Sequence, residues 1–161
     1  MSRVVKLGKQ HRLRSVPPNA VFVSYRFGDA ELVNGLLRLL NWAGFEVITG
    51  NSANTFISQA ILDSIERCGL YICILTRHEQ KTDGSWTTSP WLHQELGAAL
   101  GFKKQYFVLM VEEGVTDIGG IQGDWQRINF TEKTFFRAAL DAVEQLQSYL
   151  EKKTNPIVRH A

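Results

Sequence analysis

The stretch SPWLHQELGAALGF, residues 89 to 102, sets a single carboxylate into an otherwise apolar helical pattern. Ser89 stands at an N-cap position, Pro90 at the first helical position and Gly101 at the end, so the helix is well bounded. At about 100° per residue, Leu92, Leu96, Ala99 and Leu100 share one face. Glu95 falls at the edge of that stripe, beside Trp91, Ala98 and Phe102, while His93 points the opposite way, to solvent. A carboxylate flanked by Trp and Phe is partly desolvated, which should raise its pKa above the ordinary value of about 4.3. Two uses fit such a residue: an edge group paired with a nearby Arg or backbone amide, or an acid facing a ligand.

Other chemistries find less support. His11, His78, His93 and His160 are scattered and none has ligand spacing with Cys68 or Cys73, so no metal site is expected. Both cysteines lie among apolar residues in IERCGLYICIL, as buried thiols of a reducing compartment do. The segment GGIQG (119–123) does not follow a strand and open a helix, so it is not a dinucleotide fingerprint, and hydride transfer is unsupported.

The elements that must position Glu95 follow from the apolar pattern. AVFVS (20–24), FEVI (45–48), LYICIL (70–75), QYFVLMV (105–111) and RINF (127–130) read as strands. Between them run helices: one capped by Asp29 with Leu32, Leu36, Leu39, Leu40 and Ala43 as its stripe and Gly44 as its stop; one carrying Phe56, Ile57, Ile61, Ile65 and Cys68, closed by Gly69; the helix of Glu95; and a last one from Thr131 to about Lys152. Strands alternating with helices over short connections predict a flavodoxin-like α/β fold, a doubly wound five-stranded parallel sheet with helices on both faces. In such folds ligands bind beyond the carboxyl ends of the strands, here Tyr25 to Asp29, Thr49 to Phe56 and His78 to Trp91.

The chain of 161 residues, 44% hydrophobic and 21% charged, suits one compact domain. Five of its 18 Lys and Arg residues lie in residues 1–14, where there is no acid, leaving a mildly acidic body. Residues 1–18 are expected to form a basic, flexible arm broken from the domain at Pro17-Pro18, residues 19–152 the domain, and residues 153–161 a tail. The arm lacks interleaved aromatics, so no nucleic-acid partner is expected. No apolar run approaches the roughly 18 residues of a membrane span and no signal-peptide core follows the basic start, so a cytoplasmic protein without a membrane partner is expected.

VFVSYRFGDAELV, FEVITG and SPWLHQELGAAL, in that order, resemble the Toll/interleukin-1 receptor (TIR) domain family over about residues 19 to 151. VFVSY is similar to the family's first box, and Trp91 with Glu95 to its Trp-x-x-x-Glu segment. The resemblance implies either an adaptor that associates with its own kind or an enzyme of the bacterial NAD+-cleaving type, a glycohydrolase or cyclase serving antiphage defence or signalling. In the enzymes the glutamate of this motif is essential, which implies Glu95 as the catalytic residue. NAD+ would be a substrate, no cofactor is expected, and the implied partners are other TIR domains and a sensor or effector protein.

One carboxylate suffices for that reaction, because nicotinamide leaves NAD+ as a neutral molecule and needs no general acid. Tyr25, Phe27, Phe56, Trp86 and Trp91 are candidates to hold the nicotinamide or adenine rings, each also able to serve as core packing, and Arg26 is a candidate phosphate contact. The sequence departs from receptor-type members in the polar loop TGNSANT after the second strand and in lacking the Phe-Trp third box, near which it has RINF. These departures weaken the adaptor reading more than the enzymatic one. A nucleoside deoxyribosyltransferase-like enzyme, also built on a helix-borne carboxylate beside such a sheet, stays open as an alternative.

Overall fold

A computed structural model describes residues 17–50, 57–102, 106–118 and 126–155. Five strands, β1 (Ala20–Ser24), β2 (Glu46–Thr49), β3 (Leu70–Leu75), β4 (Tyr106–Glu112) and β5 (Gln126–Phe130), form one parallel sheet in the order β2-β1-β3-β4-β5. This is the flavodoxin-like order, and its reversal point lies between β1 and β3. The central strands β1 and β3 are buried at every position, which explains their unbroken apolar runs.

Helices cover both faces. α1 (Ala30–Trp42) and α4 (Phe135–Thr154) bury Val33, Leu36, Leu40, Ala138, Ala142 and Leu146 against Val21, Val23, Ile72 and Met110. α2 (Gln59–Arg67) and α3 (Pro90–Gly101) bury Ile61, Ile65, Leu92, Leu96 and Ala99 against Phe22, Tyr71, Leu75 and Leu109. Alternation along each strand therefore decides layer: Phe22 and Ser24 face α2 and α3, whereas Val23 and Tyr25 face α1 and α4. No helix of the described residues is long and apolar enough to cross a membrane.

Several local expectations are corrected. Asp29 occupies the N-cap position of α1 but makes no side-chain cap, because its carboxylate is engaged by Arg26 and Thr76. Ser89 likewise precedes α3 without capping it through its side chain. α2 starts later than the apolar pattern implies, at Gln59, where the Ser58 hydroxyl accepts from the Ile61 amide at 3.4 Å, and it ends before Cys68, whose backbone is extended. β2 and β4 each run one residue further toward the C-terminus than their apolar cores, and a 3-10 turn, Glu132–Thr134, precedes α4, which continues to Thr154. The arm up to Val16, Phe56 and the GGIQG segment lie outside the described residues.

Leu36 is fully buried where α1 meets the sheet. Leu36→Ala should lower the unfolding free energy by about 2–5 kcal/mol, read as a lower denaturant midpoint, because the cavity left in a packed core collapses only in part.

Candidate functional site

The carboxyl ends of β1 and β3 meet α3 at Glu95. The apolar pattern puts Glu95 at an edge, but the structure puts it inside: it is only 1% exposed, sharing the buried face of α3 with Leu92, Leu96 and Ala99. A helical wheel fixes the angle of a side chain and not its depth. The depth here comes from α3 lying across the end of β1, where Ser24, also 1% exposed, donates its hydroxyl hydrogen to Glu95 Oε2. Oε1 is buried and has no hydrogen-bond partner among the described residues.

Gly50, directly after β2, makes room for that free oxygen. A Cβ built on Gly50 would lie 2.7 Å from Oε1, 3.4 Å from Phe22 Cζ and 3.6 Å from Ile61 Cδ1. Glycine at position 50 therefore lets the backbone come close to Oε1 where any side chain would collide, beside Phe22, whose ring stacks on Tyr71 with centroids 6.0 Å apart. Tyr71 and Cys73 of β3 close the inner side, and Cys73 lies directly across from Ser24 in the β1–β3 register. The Tyr71 hydroxyl is itself buried without a hydrogen-bond partner among the described residues.

Electrostatics follow from this burial. Desolvation raises the Glu95 pKa from 4.5 to about 8, and the Trp91 indole one turn back lowers it only in part, without satisfying Oε1. Burial also pushes the Tyr71 and Cys73 pKa values well above their ordinary ranges, so both stay neutral around the carboxyl group. No cation pairs with Glu95 within salt-bridge range among the described residues, which separates it from an ordinary buried ion pair.

The other candidates are distributed unevenly. Trp91 is half-buried on the same helix as Glu95 and packs on the α2–α3 side. Tyr25 packs into the opposite layer, with α1 and α4, so the sheet separates its side chain from the Glu95 side. Arg26 and Phe27 lie in the turn after β1. Arg26 is tied to Asp29 by two contacts, Nη2–Oδ1 at 2.9 Å and Nε–Oδ2 at 3.1 Å, and its Nη1 stands 3.5 Å from His78 Nδ1. Its guanidinium is therefore already half committed. Phe27 is 74% exposed. Trp86 is built into the strap between β3 and α3: its amide donates to the Gly114 carbonyl at 2.9 Å, and Arg77 stacks 5.7 Å from its ring centroid. Phe56 lies outside the described residues.

His93 corrects a further expectation. It does not point into open solvent, because its Nε2 lies buried 3.5 Å from Asp117 Oδ2 on the segment after β4. Ser24 and Gly50 were visible as residues of VFVSY and FEVITG, but nothing in those strings assigns them a role. Strand parity with Phe22 places Ser24 on the α3 side; no such signal exists for Gly50. No group of three or more His, Cys, Asp or Glu among the described residues could hold a metal ion.

A sequence-family model described as TIR domain matches residues 21–153. No curated protein matches the chain. Among solved structures, the flavodiiron core Flv1 from Synechocystis sp. is similar at 18% identity and a TM-score of 0.50, covering 81% of this chain; the chain spans only 36% of that protein's length. A diflavin flavoprotein A3 from Nostoc sp. is similar at 15% identity and a TM-score of 0.52, over 83% of this chain and 92% of that one. At these identities the likeness is one of fold. A Clostridium botulinum CMP N-glycosidase aligns at 22% identity over 76% of this chain and 98% of that one, with a TM-score of 0.49, below the range that supports an argument.

Replacing Glu95 tests the electrostatic description without any ligand. A folded-state pKa raised from 4.5 to about 8 means that the neutral carboxyl stabilises the fold fully below pH 4.5, and that this stability is lost as the pH rises through about 8. Glu95→Gln stays neutral throughout. Its melting temperature should exceed that of the wild type by several degrees above pH 8 and the difference should close toward pH 4.5. A variant that melts below the wild type at every pH would mean that Glu95 serves a structural partner.

Proposed function

The chain belongs to the TIR domain family, and from that premise we propose that it cleaves the nicotinamide–ribose bond of NAD+, with Glu95 as its catalytic carboxylate. The observation that supports this most is the buried Oε1, without a hydrogen-bond partner among the described residues and close against Gly50 at the sheet's reversal point. A structural acid would have its second oxygen satisfied. A carboxylate in a low-dielectric pocket interacts strongly with charge that develops beside it, which is what an oxocarbenium-like transition state supplies.

The electron balance needs no second acid. The bond between the ribose anomeric carbon and the nicotinamide nitrogen breaks with both electrons going to nitrogen, which neutralises the pyridinium. Positive charge moves to the ribose, where ionised Glu95 stabilises it. Water then attacks and gives up a proton, yielding ADP-ribose, or an adenine nitrogen attacks instead and yields a cyclic product. In the free protein a Glu95 pKa of about 8 favours the protonated form at neutral pH. The bound pyridinium cation favours the ionised form, so substrate prepares its own catalyst.

Trp91, half-buried one turn before Glu95, is the proposed ring contact, whereas Arg26 reaches a phosphate only by sharing or giving up Asp29. Tyr25, Phe27, Phe56 and Trp86 remain candidate ring contacts of this proposal. Self-association belongs to the same reading and rests on the TIR family membership. A cytoplasmic enzyme of bacterial defence or signalling, coupled to a sensor or effector, is the setting the family resemblance implies.

Incubation with NAD+ and, separately, with deoxynucleosides, followed by chromatography of the products, tests the reading. Nicotinamide should be released from NAD+, and Glu95→Gln should lower the rate on the order of a hundredfold or more. Turnover of deoxynucleosides alone would establish the transferase alternative, and assembly without any turnover the adaptor. For the wild type kcat/KM should rise with pH through about 8, the pKa of Glu95 in the free protein, and the kcat midpoint should lie lower because the nicotinamide ring bound beside Glu95 is cationic.

Gly50→Ala gives a second check. The added Cβ would stand 2.7 Å from Oε1, and the flexible end of Glu95 can swing aside, so folding should survive. A swung carboxylate is misplaced for chemistry, and kcat should fall about tenfold or more with little change in melting temperature.

A further inference from the structure

We propose that Ser24 is the positioning residue of Glu95, its hydroxyl holding Oε2 so that Oε1 is the oxygen left facing Gly50. The assignment rests on Glu95 being the carboxylate that meets substrate. Ser24 ends β1 on the face that α3 covers, is 1% exposed, and donates to Glu95 Oε2.

Among the described residues no other group holds Oε2. From β3, Tyr71 and Cys73 are kept neutral by burial, and the Tyr71 hydroxyl, though a donor, has no hydrogen-bond partner among the described residues. From α2, Ile61 is apolar, and Gly50 after β2 has no side chain. From α3 itself, Trp91 offers an indole N–H that does not satisfy Oε1. A hydroxyl has one hydrogen, and here it goes to Oε2. Donation to an ionised carboxylate favours the ionised form and fixes its plane. Loss of the hydroxyl should therefore shift Glu95 ionisation to higher pH and let the carboxylate turn.

Ser24→Ala removes one oxygen and adds no volume, and Ser24→Thr keeps the hydroxyl. The Glu95 side-chain carboxyl carbon can be titrated by NMR in the wild type and both variants, its signal assigned by its loss in Glu95→Gln, alongside steady-state kinetics with NAD+. Ser24→Ala should titrate at higher pH than the wild type, with kcat about tenfold or more lower and KM nearly unchanged, and Ser24→Thr should recover both properties. An unmoved Glu95 midpoint, or a moved midpoint with wild-type kcat, overturns the positioning role even where the wild type consumes NAD+. A moved midpoint in a protein that leaves NAD+ intact overturns the NAD+ reading instead and leaves the Ser24–Glu95 linkage standing, because the titration involves no substrate.

Discussion

Burying a carboxylate to 1% exposure, with one oxygen held by a serine and the other by nothing among the described residues, costs stability that a hydrophobic residue at position 95 would not. The surrounding structure is arranged to impose that burial. α3 is clamped by Leu92, Leu96 and Ala99, all of them on the same buried face as Glu95, so the helix cannot rotate the carboxylate outward without exposing three apolar side chains. The pKa of about 8 measures how strongly the pocket disfavours the charge. Such a cost is typical of a site where charge is wanted in a transition state and not in the resting protein.

The parallel sheet supplies the second constraint. Because the order is β2-β1-β3-β4-β5, α1 leaves the end of β1 toward one face while α2 and α3 occupy the other, and the edge where they diverge is the one at which doubly wound folds bind ligands. Ser24, Cys73 and Gly50 all lie at that end of the sheet, on three adjacent strands or just beyond them. Nearby, Asp29 gathers Arg26 and Thr76, fixing the turn after β1 to the end of β3. The rim is thereby held by ion pair and hydrogen bond while the floor is held by stacked rings, Phe22 on Tyr71.

Much of this is written locally in the chain. The five strands and four helices follow from apolar runs and periodicity, and the TIR resemblance in VFVSY and SPWLHQEL agrees with the family match over residues 21–153. Glu95 stands out because a charge beside an apolar stripe is conspicuous. What stays hidden is set by residues far apart in sequence. Ser24 and Glu95 are 71 residues apart, and no local pattern pairs them. The same limit explains Asp29, a good capping residue whose carboxylate prefers a guanidinium, and His93, whose wheel position faces solvent until the segment carrying Asp117 packs over it. Tyr25 and Ser24 differ in layer by strand parity alone, a distinction that reading the loop as one rim overlooks.

The most direct test of a catalytic Glu95 is the structure of Glu95→Gln with NAD+ bound, since the variant keeps the shape of the site and spares the substrate. The expected result places the anomeric carbon of the nicotinamide ribose within van der Waals reach of the position 95 side chain, with the Ser24 hydroxyl still on that side chain's far atom. NAD+ bound away from the position 95 side chain, or that side chain satisfied at both ends by protein groups and shielded from the ligand, would contradict it.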